Sequence, residues 1–199
     1  RAGTRGHAMR INGLSCHPTL SHFYATAAHD SILGVWDARR RDMVRHRELP
    51  FPAHCLDYSN DGGYIAVGFV NGSFGVYNSL TFVEVTIVER PRQVSQWKDQ
   101  TEEIPRCDPV TVIKWSPNDN RIAVGSTDTN IDVWVVVNAD TNNMRFRLDL
   151  RLKGHSGSIL HIDWSKDNMY LQSQCASREL LRWNLQDRSE YGVKRGQLL

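Results

Sequence analysis

Residues 23–37 read Phe-Tyr-Ala-Thr-Ala-Ala-His-Asp-Ser-Ile-Leu-Gly-Val-Trp-Asp. Two strand-sized runs, Phe23 to Ala28 and Ile32 to Asp37, flank the triplet His29-Asp30-Ser31, which carries turn chemistry. The cassette recurs three times. Tyr64 to Gly68 and Ser73 to Asn78 flank Val70-Asn71-Gly72. Arg121 to Gly125 and Asn130 to Trp134 flank a turn at Asp128. Met169 to Ser173 and Glu179 to Asn184 form the last copy. Asn-Gly between apolar runs is a strong hairpin signal, because both residues tolerate positive φ. In the third copy Ile131 and Val133 alternate with Asn130 and Asp132, the period of a half-buried strand.

Working outward, each copy opens on an anchor (Cys16, Tyr58, Trp115, Trp164) and closes on an aromatic (Trp36, Tyr77, Trp134, Trp183). Anchor to closer is 20, 19, 19 and 19 residues, whereas closer to closer is 41, 57 and 49. Constant internal spacing with elastic gaps marks a supersecondary unit with variable loops. A further strand precedes each anchor, and another follows each closer, clearest at Phe82 to Val88 and Met144 to Leu150. About four short strands per unit is the arithmetic of an all-β propeller. The units run over about 6–50, 51–88, 109–150 and 151–199, and the charged stretch 89–108 reads as an inserted connector.

The chain of 199 residues is 40% apolar and 23% charged, with a net charge of +2. These values fit a globular fold and are too mild to argue for nucleic acid. No apolar run approaches the ~20 residues of a membrane span. Cys16, Cys55, Cys107 and Cys175 form no C-x-x-C pair and read as buried, reduced thiols of an intracellular protein. Nucleophile, zinc-protease and phosphate-loop motifs are missing from the sequence, so no enzyme, cofactor or metal is expected. The opening Arg1-Ala2-Gly3 reads as the start of a piece of something longer.

The first unit resembles a WD repeat. Gly6-His7 precedes it, Thr26 lies ten residues before Trp36, Asp30 six before, and Trp36-Asp37 closes it. The resemblance implies that His7, Thr26, Asp30 and Trp36 form one hydrogen-bonded set. The fourth unit keeps His155, Ser173 and Trp183 but has Ser177 at the Asp position. The third keeps Asp128 and Trp134, with Val124 replacing the hydroxyl residue and no Gly-His before it. The second has Asn71 and Tyr77, with Val67 replacing the hydroxyl. These three units are expected to rely more on apolar packing than on polar sets.

The runs Val112-Ile113-Lys114-Trp115-Ser116-Pro117-Asn118 and Ile159-Leu160-His161-Ile162-Asp163-Trp164-Ser165 are similar to blades of the echinoderm microtubule-associated protein-like family. That resemblance implies four four-stranded WD-type blades belonging to a larger ring of about seven. It also implies a non-catalytic scaffold for tubulin or microtubules, with the remaining blades or a second propeller as further partners. The expected setting is cytoplasm, cytoskeleton and cilium or flagellum. A general WD adaptor of ubiquitin-ligase or chromatin type is the alternative.

Two features are candidates for partner binding. Arg39-Arg40-Arg41, followed by Arg45 and Arg47, suits an acidic protein partner, which the resemblance makes tubulin's acidic tails. Base-stacking aromatics do not accompany it, so nucleic acid is not expected. The second is the rim of inter-strand turns, including His29, Val70, Thr127 and Arg178.

Overall fold

The computed structural model describes residues 6–90, 108–138 and 144–186. Within them, fifteen strands form four antiparallel sheets. The first sheet holds β1 (Ile11–Cys16), β2 (Phe23–Ala28), β3 (Ile32–Asp37) and β4 (Asp42–Glu48). The second holds β5 (Ala53–Tyr58), β6 (Tyr64–Phe69), β7 (Phe74–Asn78) and β8 (Glu84–Val88). The third holds β9 (Val110–Trp115), β10 (Arg121–Ser126), β11 (Ile131–Asn138) and β12 (Arg145–Leu152). The fourth holds β13 (Ile159–Trp164), β14 (Tyr170–Cys175) and β15 (Leu180–Asn184). Its expected outer strand would fall in 187–199, outside the described residues. So would most of the 89–108 connector.

Every sheet is a meander whose spatial order follows the sequence. The leading strands face one another in series, β1 against β5, β5 against β9 and β9 against β13. The sheets are therefore blades of an all-β propeller, laid out as an arc. Among the described residues no comparable contact joins β13 to β1.

Period-two alternation places the core. Successive residues of one strand point to opposite faces, so a blade between two others buries both. Ile122 and Val124 of β10 enter the seam with the second blade, beside Phe74, Trp115 and Trp134. Ala123 of the same strand enters the seam with the fourth, beside Ile159, Ile162 and Leu171. Ala25, Leu33, Leu56, Ile65 and Tyr77 fill the seam between the first and second. β10 is consequently buried along nearly its whole length, while β14 alternates exposed and buried. The outward face of the fourth blade shows Tyr170 and Leu180, and Ile11 and Leu14 of β1 stand exposed on the first blade.

Close stacking of blades demands small residues at one register. A Cβ added to Gly125 would lie 2.6 Å from Ile159 Cγ2, and one on Gly68 would lie 2.5 Å from Val110 Cγ1. Ala27 holds this place in the first blade, nine residues before the closer, and Gln174 holds it in the fourth, on the open face.

Two expectations are corrected here. The alternation with Ile131 and Val133 predicts Asn130 and Asp132 on the polar side of a half-buried strand. Both are buried: Asp132 because β11 lies in a blade covered on both faces, and Asn130 in the preceding turn, where its backbone N–H and side-chain amide donate to Asp128. Of the cysteines, Cys55 and Cys175 are buried but Cys16 is exposed. Cys16 ends a strand of the first blade and points away from the seam. Cys107 lies outside the described residues.

The turns follow one rule. Between the two middle strands of each blade, the third residue after the leading strand of the pair has positive φ: Ser31, Gly72, Thr129 and Arg178. Gly72 N–H donates to Phe69 O and Arg178 N–H to Cys175 O, closing a β-turn before the left-handed residue. Asn71 itself keeps negative φ, so only one residue of the Asn-Gly pair uses the left-handed region. Thr129, β-branched and at φ 69°, is the most strained of the four. Replacing Thr129 with Gly should therefore stabilise the protein by about 1 kcal/mol. Chemical denaturation of Thr129→Gly and of Gly72→Thr checks this. The second variant should lose a similar amount.

Candidate partner-binding surfaces

The polar sets come first, because they hold the loops that form the blade edges. Trp36 Nε1 can only donate, and it lies 2.7 Å from Thr26 Oγ1. The Thr26 hydroxyl therefore donates onward to His7 Nε2, at 2.7 Å. His7 Nδ1–H then faces both oxygens of Asp30 at 3.1 Å. Asp30 also accepts from the N–H groups of Ala8 and Ile32. Burial pushes the Asp30 carboxyl up, but these N–H groups and His7 hold it below the ordinary range. The set lies on the face of the first blade that is turned away from the second, so Trp36 stays half-buried.

In the fourth blade, Ser173 Oγ lies 2.7 Å from both His155 Nε2 and Trp183 Nε1. Here the set is sealed inside the seam with the third blade, and all three residues are buried. Ser177 takes no part. Glu179, two residues further on, reaches back to within 3.4 Å of His155 Nδ1 and accepts from Ser156 N–H and hydroxyl. Those two donors and the Cys175 thiol pull the Glu179 carboxyl down to about 2, while burial lowers His155. His155, Cys175 and Glu179 place three ligand-type atoms within 4.8 Å of one another. Glu179 is already occupied by donors, which makes the group a loop closure.

The third blade uses different chemistry in the same place. Arg90, just before the described chain breaks off, enters where the His of a WD repeat would stand. Its Nη2 lies 3.3 Å from Asp128, and its Nε donates to Asp132 at 2.8 Å. Arg151 of β12 pairs with Asp132 from the other side at 2.7 Å. The carboxylate of Asp132 is fully buried between two guanidinium groups, which removing either partner would leave under-compensated. Trp134 Nε1 and the Tyr77 hydroxyl are buried with no hydrogen-bond partner among the described residues, as Val124 and Val67 offer none.

The meander separates the candidate binding residues. Turns after the first and third strands lie at one edge of a blade, and the turn after the second lies at the other. His29, Val70, Thr127 and Arg178 belong to the second kind of turn. His29 and Thr127 are half-buried and Arg178 is exposed. Arg39, Arg40 and Arg41 sit at the opposite edge, between β3 and β4, and all three are exposed. Their turn is built by Asp37, whose Oδ1 accepts from the N–H groups of Arg39 (2.8 Å) and Arg40 (3.3 Å). Arg41 at φ 56° completes the reversal. Arg45 is exposed on β4. Arg47 departs from the cluster. It donates to Phe82 O at 2.6 Å, faces Glu84, and lies over the Tyr77 ring, clamping the first two blades together.

Arg90, Asp132, Arg151 and Glu179 are the structural polar residues that spacing alone did not single out. The only available signal was the missing member of each WD set.

The family model described as "Echinoderm microtubule-associated protein second beta-propeller" matches residues 11–195. Echinoderm microtubule-associated protein-like 3 of Mus musculus is 29% identical over 181 residues, covering 91% of this chain and 18% of that protein. Echinoderm microtubule-associated protein-like 1 of Homo sapiens is 29% identical over 180 residues, covering 90% of this chain and 20% of its own length. The chain thus spans about a fifth of the length of these relatives.

The two polar sets generate distinct expectations. Asp30→Ala should cost about 1–3 kcal/mol, since it orphans His7 and two N–H groups. Ser177→Ala should change stability by less than about 0.5 kcal/mol. Thermal unfolding of the two variants checks the contrast. Glu179 has a folded pKa below its unfolded value, so its contribution is present above about pH 4.5 and lost as pH falls toward about 2. Glu179→Gln should therefore flatten the stability curve across that window, as read by denaturation at stepped pH.

Proposed function

Because the chain belongs to the family of echinoderm microtubule-associated protein second β-propellers, we propose that it is a non-catalytic binding module that serves microtubule association. The partner is tubulin or the microtubule lattice, met at the blade edge that carries Arg39, Arg40 and Arg41. The observation that supports this is the construction of that turn. Asp37 Oδ1 accepts two backbone N–H groups, which fixes the loop, and its other oxygen lies 3.7 Å from Arg40, so three exposed arginines share a single carboxylate. Such a fixed positive projection suits a strongly acidic surface. The opposite edge, with His29, Thr127 and Arg178, is the second candidate surface. The proposed setting is the cytoplasmic cytoskeleton, including microtubules of the cilium. The blades or propeller that complete the ring are its structural partners.

A general WD adaptor of another complex is the competing reading, and one measurement separates them. In the complete protein, Arg39→Ala, Arg40→Ala and Arg41→Ala together should weaken microtubule co-sedimentation about five- to thirtyfold. That corresponds to about 1–2 kcal/mol from exposed charge pairs. The salt dependence should also flatten, since the Debye length falls from ~10 Å at 0.1 M to ~3 Å at 1 M. Wild-type co-sedimentation that is absent, or unchanged in a well-folded triple variant, would return the protein to the adaptor reading.

A further inference from the structure

At the edge that carries the arginine turn, the first and second blades part into a groove of about 610 Å³. That volume falls within the range of sites that enclose a ligand. Its inner wall is Phe23 and Val35, which belong to or pack on the seam core. Its mouth is apolar too: Leu20, Val44 and Leu80 are 42%, 37% and 67% exposed. Leu80 comes from the β7–β8 turn of the second blade, so the two sides of the groove belong to different blades. Isolated exposed leucines need no explanation, but apolar residues gathered at one concavity mark a contact site.

The charge around it is predominantly positive. Arg39, Arg40 and Arg45 line the same groove, and Asp37 is its one lining carboxylate among the described residues. Asp37 already accepts two turn N–H groups and lies only 3.7 Å from Arg40. Arg39 and Arg45 have no carboxylate partner among the described residues. An apolar floor under unpaired guanidinium groups is complementary to a segment that is acidic and also carries a large apolar side chain.

We propose that this groove docks an acidic peptide segment of a partner protein, with one apolar side chain inserted between Val44 and Leu80 and its carboxylates on Arg39, Arg40 and Arg45. The proposal rests on the reading of the arginine turn as the acidic-partner surface. It adds the contact that distinguishes one acidic segment from others, since two segments of equal charge differ in affinity only through contacts beyond charge.

The test uses the complete protein and two fluorescein-labelled 12-residue peptides of glutamate and serine. One has a central Phe and the other a central Ala. The Phe peptide should bind at least about tenfold more tightly, the effect of burying one such side chain. Leu80→Ser should abolish that preference. Leu20→Ser, on the other lip, is the second variant should Leu80→Ser unfold. Arg39→Ala with Arg40→Ala should weaken both peptides alike. Equal binding of the two peptides, a preference that survives both leucine variants, or full displacement by a 12-residue oligothymidylate would overturn the groove. Co-sedimentation run in parallel keeps the two ideas apart. Loss of microtubules in the arginine variant with equal peptide binding sinks the groove alone. A Phe preference without any microtubule association sinks the microtubule reading alone.

Discussion

Neighbouring blades share one requirement: each sheet must present apolar residues on both faces and let another sheet approach closely. Alternate residues of β10 enter different seams, and Gly68 and Gly125 leave room where the inner strands of the next blade press in. Both faces of a central blade are therefore dry. That single condition decides where polar side chains are tolerated, since a buried donor or acceptor without a partner costs about 1–3 kcal/mol. It also explains why the first and fourth blades differ from the middle pair. Each of them has a neighbour on one side only among the described residues, so the outer residues of β14 are exposed in alternation.

The polar groups on the blade faces are answers to that condition, in the seams and on the outer face of the first blade, and no two blades answer alike. The first joins His7, Thr26, Asp30 and Trp36 into a continuous chain of hydrogen bonds. The fourth replaces the missing carboxylate with Glu179, brought in from two residues downstream. In the third, Arg90 and Arg151 surround Asp132. Among the described residues the second has no such set and leaves the Tyr77 hydroxyl without a hydrogen-bond partner, under an Arg47 that is anchored on Phe82. Blades are also tied to one another across their leading strands. Lys114 Nζ reaches Asp57 at 2.9 Å, and Asp119 caps the Asn60 and Asp61 N–H groups. A scaffold braced at every seam gives its edge turns fixed positions, which a binding surface built from turns requires.

The candidate binding residues divide between the two edges of the arc. One edge carries the turns of positive-φ residues Ser31, Gly72, Thr129 and Arg178. The other carries the arginine turn and the apolar groove beside it. A single flat partner cannot cover both, because the β-meander places them at opposite ends of the strands. The proposed partner surface is the second of these, where charge and apolar area coincide.

The sequence by itself determined the four units and the strands the structure describes, because constant spacing within a hairpin is a local distance that chain geometry enforces. The residues of the first polar set came from the resemblance to a WD repeat, which Thr26 and Asp30 carry at ten and six residues before Trp36. Family membership was legible for the same reason, since the blade cassettes are local patterns. Arg39, Arg40 and Arg41 were visible as a run, but their groove was not, because Leu80 joins it from another blade. Tertiary structure alone decided that Asp132 is buried, that Cys16 is exposed, that Arg47 serves a seam, and that Glu179 and Arg90 stand in for missing partners. Each of these depends on which sheet covers which face. A period-two pattern shows that two faces exist and is silent on what lies against them.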